Sequence, residues 1–159
     1  MAILEIKNLQ AHFHTRKGIV KAVNGISYSL EPGQTLGIVG ESGSGKSVSQ
    51  LSYLRLLPSP PLRIPQGQVL YRGQDLLTLP EDKLRAIRGH KISMIFQEPM
   101  TSLNPYLTIG SQLIEPLMIH LGQSKKAAWK EACDALTRVG IGEADKAMKS
   151  YPQIGRAHV

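Results

Sequence analysis

The sequence predicts an α/β fold in which strands come first and helices last. Residues 35–39 (TLGIV) form a short apolar run of the kind found in a buried strand. Residues 125–139 instead carry apolar side chains at helical spacing. No apolar run approaches the roughly 20 residues that a membrane-spanning helix needs. These observations together predict an α/β core followed by a helical region.

The first two predicted strands cover residues 2–13 and 19–30 and are joined by a turn at 16–18. Asn24-Gly25 is a strong turn signal that interrupts the second strand. The remaining predicted elements are strands at 35–39, 67–71 and 91–96 and helices at 46–57, 81–88, 107–122, 125–139 and 143–149.

The helix predicted at 125–139 has recognisable ends. Ser124 is a suitable N-cap, and Gly140 stands where a C-terminal glycine commonly closes a helix. Trp129 and Cys133 lie on its apolar face, and we expect both to contribute to the core rather than to a contact surface.

Composition limits the possible functions only loosely. The chain of 159 residues has 19 Lys and Arg against 12 Asp and Glu, a net charge of +7. Such an excess attracts nucleotides, nucleic acid or acidic membranes. Because the basic residues are scattered, a solvated basic surface is an equally good interpretation. The single cysteine, Cys133, excludes an internal disulfide.

The most specific motif lies at residues 40–47. Its sequence, GESGSGKS, matches the phosphate-binding pattern G-x-x-x-x-G-K-[ST], also called Walker A, at every fixed position. Glycines allow the backbone N–H groups to turn toward phosphates, and the following helix adds its N-terminal dipole. Lys46 can reach the β- and γ-phosphates, and the Ser47 hydroxyl can bind Mg²⁺. The motif therefore predicts a P-loop nucleotide site.

Two longer segments carry a resemblance to a family. GIVGESGSGKS and, some fifty residues later, IFQEPMTSLNP resemble the ATP-binding subunits of ABC transporters. Within that family the chain is similar to the oligopeptide/dipeptide import branch, including importers of peptide-like microcin C. The resemblance covers residues 3 to about 152. It implies a P-loop NTPase core with an N-terminal β-subdomain and the start of a helical subdomain.

The resemblance assigns roles to matching residues, with ATP and Mg²⁺ as the implied cofactors. Phe13 would stack on adenine, although a core aromatic is the alternative and His14 a weaker candidate. Gln97 would be the Q-loop glutamine, which contacts Mg²⁺ together with Ser47; an ordinary loop residue is the alternative. The nucleotide-binding candidates are Phe13, Gly40, Glu41, Ser42, Gly43, Ser44, Gly45, Lys46, Ser47, Val48 and Gln97.

The resemblance also divides the chain. Residues 1–106 would hold the β-subdomain, the Walker A motif and the Q-loop, with a turn-rich hinge at Glu98-Pro99 and Ser102–Pro105. Residues 107–152 would begin the helical subdomain that docks on membrane-embedded permease subunits, and 153–159 would be a divergent tail. The implied location is the cytoplasmic face of the inner membrane, as a peripheral protein.

Some family features are missing from this sequence. No Ser-Gly-Gly signature follows Tyr151-Pro152, no apolar run ends in Asp-Glu, and no histidine can be assigned as the switch residue. We therefore expect an N-terminal part of a longer protein, truncated before the signature motif and Walker B. This part would contain no catalytic residue and would at most bind nucleotide.

The implied partners are the permease subunits, a second ATP-binding subunit or domain and, indirectly, a periplasmic or extracellular solute-binding protein. Two other classes remain open. One is a P-loop kinase acting on a small molecule, and the other is a non-catalytic module that binds nucleotide or nucleic acid. The scattered charge and eight aromatic residues argue against nucleic acid as a partner.

Overall fold

The computed structural model of the protein describes residues 2–97 and 102–152. The chain forms two compact units, Met1–Leu84 and Arg85–Val159. Among the described residues, no helix combines the length and the apolar character needed to cross a membrane. Each unit carries some of the predicted site residues.

A long antiparallel hairpin forms the base of the first unit. Strands β1 (Leu4–Thr15) and β2 (Gly18–Leu30) are joined by a tight turn at Arg16–Lys17, as the sequence predicts. The predicted interruption at Asn24-Gly25 is a register shift within β2 rather than an end of the strand. Gly25 has a φ of 84°, which permits this irregularity while the hairpin continues.

Three short strands complete the sheet: β3 (Leu62–Arg63), β4 (Gln68–Tyr71) and β5 (Gln74–Asp75). The strand order is β2-β1-β4-β5, with β3 also paired to β1, and every pairing is antiparallel. The fully buried side chains of this unit include the apolar Ile6, Leu9, Val69, Leu76 and Leu84 and one serine, Ser52, whose hydroxyl donates to the Val48 carbonyl at 2.7 Å.

Two helices begin in the first unit, α1 (Lys46–Tyr53) and α2 (Glu81–Ile87). Helix α1 starts where the motif predicts, but it stops before the predicted end at Leu57. Val48 of α1 packs against a cluster that we call the hairpin cluster, formed by the buried side chains of Ala11, Val23 and Leu62.

The second unit is a small group of helices, α3 (Ile109–Leu121), α4 (Lys125–Arg138) and α5 (Ala144–Lys149). Ser124 is confirmed as the N-cap of α4, since its Oγ accepts from the backbone N–H of Ala127. Gly140 follows the helix in a left-handed conformation, with φ 89°. The core consists of Ile114, Ala128, Ala132 and Met148, and the predicted core residues Trp129 and Cys133 pack against it.

Two predicted buried strands are wrong. Residues 35–39 and 91–96 are not part of the sheet, and Val39 and Ile95 are 93% and 92% exposed. Among the described residues, the only pairing of either segment is an isolated bridge between Arg88 and Ile92. An apolar run becomes a strand only when the backbone of a neighbouring strand forms hydrogen bonds with it. In the described part of the chain, the five strands of the sheet pair with one another, and none of them pairs with either of these two segments.

Candidate functional site

The phosphate-binding motif forms a loop that leads directly into α1. Gly45 is the residue before the helix and has a left-handed conformation with φ 88°. Gly43 is also left-handed, with φ 80°. L-residues with a Cβ avoid this region, so both positions require glycine for the loop to take this shape.

The loop lies against strand β2. A Cβ built on Gly45 would be 2.1 Å from the carbonyl oxygen of Ala22 and 3.8 Å from Cγ2 of Val23. Because the nearest obstacle is a backbone atom, it cannot turn aside as a flexible side chain can. The last motif glycine is thus required by close packing as well as by its φ angle.

Lys46 reaches back over the loop. Its ammonium donates hydrogen bonds to the carbonyl oxygens of Gly40, at 2.6 Å, and Glu41, at 2.7 Å. A third, longer bond of 3.3 Å goes to Oγ of Ser44. Phosphate oxygens accept the same kind of bond more strongly because they are charged. The ammonium is therefore positioned where its hydrogen bonds to the loop can be replaced by hydrogen bonds to a bound phosphate.

The first turn of α1 supplies further donors. The N–H groups of Lys46, Ser47 and Val48 precede the first intrahelical bond, which runs from Ser49 N–H to the Gly45 carbonyl at 2.8 Å. Together with the helix dipole they form a site for an anion. Since the Val48 side chain packs on the hairpin cluster, only its backbone faces this site.

A magnesium ion would need oxygen ligands here. Within residues 2–97 and 102–152, no three His, Cys, Asp or Glu side chains gather to hold a metal ion. Mg²⁺ bound to nucleotides typically uses one or two protein ligands together with phosphate oxygens and water. The exposed hydroxyl of Ser47, one residue beyond Lys46, fits that donor set.

Phe13 lies on β1 opposite Val20 of β2 and Leu62 of β3. Its half-buried ring packs against the hairpin cluster, as the side chain of Val48 also does. The core and adenine interpretations are therefore compatible, since part of the ring stays accessible. The next residue, His14, is exposed.

The second unit contains Gln97, which lies in a bend after residues 91–96 and is exposed. Glu98-Pro99, the first part of the predicted hinge, lies outside the described residues. Asn104, in the second part of the predicted hinge, is held by the side chain of Gln112, whose amide donates to the Asn104 carbonyl at 3.0 Å and accepts from its N–H at 2.8 Å. The sequence analysis missed Gln112, because the sequence around a polar residue within a helix does not indicate which distant backbone groups its side chain will bond.

Comparison with known proteins adds a decisive observation. The family described as ABC transporter matches residues 23–154, most of the chain and all of the phosphate loop. The chain belongs to the ABC transporter family. This membership favours neither a small-molecule kinase nor a nucleic-acid-binding module.

The similar curated proteins are named as ATP-binding proteins of peptide transport. The dipeptide transport ATP-binding protein DppD of Lactococcus lactis is 49% identical over 94% of this chain and 43% of its own length. The oligopeptide transport ATP-binding protein OppD of Bacillus subtilis is 45% identical over 94% of this chain and 42% of its own length. This ABC transporter chain thus spans less than half the length of these relatives.

A solved structure agrees on the fold. The dimeric ABC transporter cassette MJ0796 superimposes with a TM-score of 0.79 at 24% identity, covering 95% of this chain and 62% of that one. A second structure of the same cassette, described as bound to ADP and Pi, gives a TM-score of 0.76 at 22% identity. At this identity the likeness supports the ABC cassette fold alone, and with it the predicted fold class.

Proposed function

We propose that this chain is the nucleotide-binding part of an ATP-binding subunit that drives peptide import through an ABC transporter. The observation that carries the proposal is the Lys46 ammonium held over the loop by Gly40, Glu41 and Ser44. The names of the relatives support ATP as the nucleotide and peptides as the transported class.

Each proposed site residue has a distinct part in binding ATP. Gly43 and Gly45 shape the loop, and Lys46 bonds the β- and γ-phosphates. Ser47 would bind Mg²⁺, which when bound neutralises charge on the β- and γ-phosphate oxygens. The partly accessible ring of Phe13 offers a surface on which adenine can stack.

Isothermal titration of the chain with Mg-ATP tests nucleotide binding. We expect Lys46→Ala to weaken ATP binding by about 10- to 100-fold, because charge-assisted hydrogen bonds contribute about 1.5–3 kcal/mol. Lys83→Ala is the matched control, since it removes an exposed lysine of the same unit. Failure of the unaltered chain to bind ATP would overturn the proposal.

Peptide import is tested by replacement in a relative. The 150 residues of Bacillus subtilis DppD that match this chain, 47% identical to it, are exchanged for the residues of this chain. Uptake of a labelled dipeptide should persist in the exchanged protein and disappear when Lys46→Ala is added. If the exchanged protein is assembled and binds ATP yet transports no dipeptide, the proposed substrate class is wrong.

The permease contact is proposed for a groove of about 470 Å³ between α3 and α4. Ile119, 67% exposed, and Met118 lie along it, and an exposed apolar surface of this kind is typical of a protein interface. Ile119→Glu in the exchanged protein should abolish co-purification of the permease while ATP binding persists. Ile141→Glu is the matched control, because Ile141 is also exposed in the second unit. Equal loss in both variants would contradict this location.

A further inference from the structure

The helix that carries Lys46 is attached to one strand at both of its ends. At the N-terminal end, Gly45 abuts the Ala22 carbonyl of β2. At the C-terminal end, the hydroxyl of Tyr53 is hydrogen-bonded to the hydroxyl of Tyr28, which also belongs to β2. Between them, Val48 packs on the hairpin cluster. Strand β2 therefore contacts the start and the end of α1.

The two tyrosines form a close pair rather than an incidental surface contact. Their rings meet edge to face, with centroids 6.4 Å apart and planes inclined by 69°. Tyr53 is buried and Tyr28 is half-buried. Burial, and the hydrogen bond to Tyr53, raise the pKa of the Tyr28 phenol above its ordinary value of 10.0. The Tyr28 phenol therefore stays protonated throughout the physiological pH range and keeps its hydrogen bond to Tyr53.

We infer that the Tyr28–Tyr53 hydroxyl pair is a positioning device that sets the direction of α1 and so aims the phosphate site at its N-terminus. Helix α1 has eight residues and is about 12 Å long. Its N-terminal N–H groups point along the helix axis. When the far end is released, the helix can pivot about Gly45, and the N–H groups and Lys46 then turn away from the phosphates.

The inference rests on the proposed nucleotide-binding function and makes a selective prediction. Because adenosine has no phosphate, its binding should not depend on the direction of α1. Tyr28→Phe and Tyr53→Phe should each weaken ATP binding about threefold to tenfold, the range open to one lost hydrogen bond. The binding of inorganic triphosphate should weaken by the same factor, whereas the affinity for adenosine should not change. A loss of general stability would lower all three affinities together.

The test is titration calorimetry on the full chain and four variants with ATP, inorganic triphosphate and adenosine. Because one bond joins the two hydroxyls, the double variant Tyr28→Phe/Tyr53→Phe should bind ATP no more weakly than either single variant. Tyr71→Phe is the matched control, since it removes a tyrosine hydroxyl elsewhere in the same unit, and it should leave all three affinities unchanged. Thermal unfolding of each variant identifies any that fails to fold.

The outcomes separate the inference from the function on which it rests. If the unaltered chain binds ATP and Lys46→Ala weakens binding as expected, but the tyrosine variants bind normally, the positioning role is wrong and the function stands. Additive single effects, or equal losses for ATP and adenosine, also overturn the positioning role. If the unaltered chain binds no ATP, both proposals fail.

A titration of tyrosine absorbance at alkaline pH gives a spectroscopic check on the hydroxyl pair. Because the hydrogen bond to Tyr53 helps to raise the pKa of Tyr28, Tyr53→Phe should lower that pKa.

Discussion

Gly110 of α3 lies so close to Trp129 of α4 that a Cβ added to it would be 2.8 Å from Cζ3 of the indole. The same Cβ would be 2.7 Å from the backbone carbonyl oxygen of Met148. Three segments of the second unit therefore meet at a position with no room for a side chain. The proposed permease groove lies beside this point, since Trp129 also lines it.

Gly110→Ala should destabilise the second unit by about 1–3 kcal/mol, the usual cost of overpacking. Alanine favours a helix more than glycine does, by about 1 kcal/mol, but the clash with a backbone carbonyl outweighs that gain. Urea unfolding followed by fluorescence measures the effect, because Trp129 is the single tryptophan. Gly142→Ala is the control, since nothing lies within 4 Å of its Cβ position. Equal free energies of unfolding for the two variants would show that the structure can accommodate a side chain at position 110.

Gly45→Ala should destabilise the first unit more than Gly43→Ala and should abolish ATP binding. Both substitutions put alanine at a positive φ, which costs about 1–2 kcal/mol. Only the Cβ at position 45 also meets a backbone atom, the Ala22 oxygen; at position 43 nothing lies within 4 Å. Chemical denaturation and ATP titration of the two variants check this order. Equal effects would mean that β2 does not support the loop.

The sequence was sufficient to predict the loop and the start of its helix, because GESGSGKS encodes local backbone chemistry. The hairpin turn at Arg16–Lys17 and the Ser124 cap were predicted for the same reason: each depends on residues close together in the chain. Features of this kind need no knowledge of distant partners.

Contacts between distant residues could not be read in this way. Residues 35–39 have the composition of a buried strand, but strand pairing depends on a neighbour that composition does not specify. Tyr28 and Tyr53 are 25 positions apart, so nothing in either local pattern indicates their bond. The motif thus identifies which residues can bind phosphate, whereas the supports from Ala22 and the tyrosines emerge only in three dimensions.

Asp145→Asn should destabilise the second unit at neutral pH and reduce its sensitivity to acid. The hydrogen bond from Lys149, and then the one from the Trp129 indole, hold the pKa of Asp145 below its ordinary value of 3.8. Because the folded pKa is depressed, this stabilisation is present above pH 3.8 and disappears as the pH falls through the folded value. Urea midpoints measured at neutral pH and below pH 3.8 test the sign.

The control for Asp145 is Asp134→Asn, which removes an exposed carboxylate from α4. It should leave the acid dependence of the urea midpoint as it is in the unaltered chain. If Asp145→Asn and the unaltered chain lose stability in parallel through the acid range, the network through Trp129 and Lys149 does not stabilise the unit.

Ser124→Ala should destabilise α4 by about 1 kcal/mol, the usual value of an N-cap. The Ser124 Oγ accepts from the backbone N–H of Ala127 at 3.3 Å, and alanine leaves that donor without its acceptor. Ser124→Asp should retain the stability, because a carboxylate accepts the same bond and interacts favourably with the helix dipole. Urea unfolding monitored at Trp129, one turn into the helix, compares the three forms directly. The aspartate side chain offers an acceptor to the Ala127 N–H, and the alanine side chain does not. If the aspartate variant were no more stable than the alanine variant, the cap bond would contribute nothing to stability.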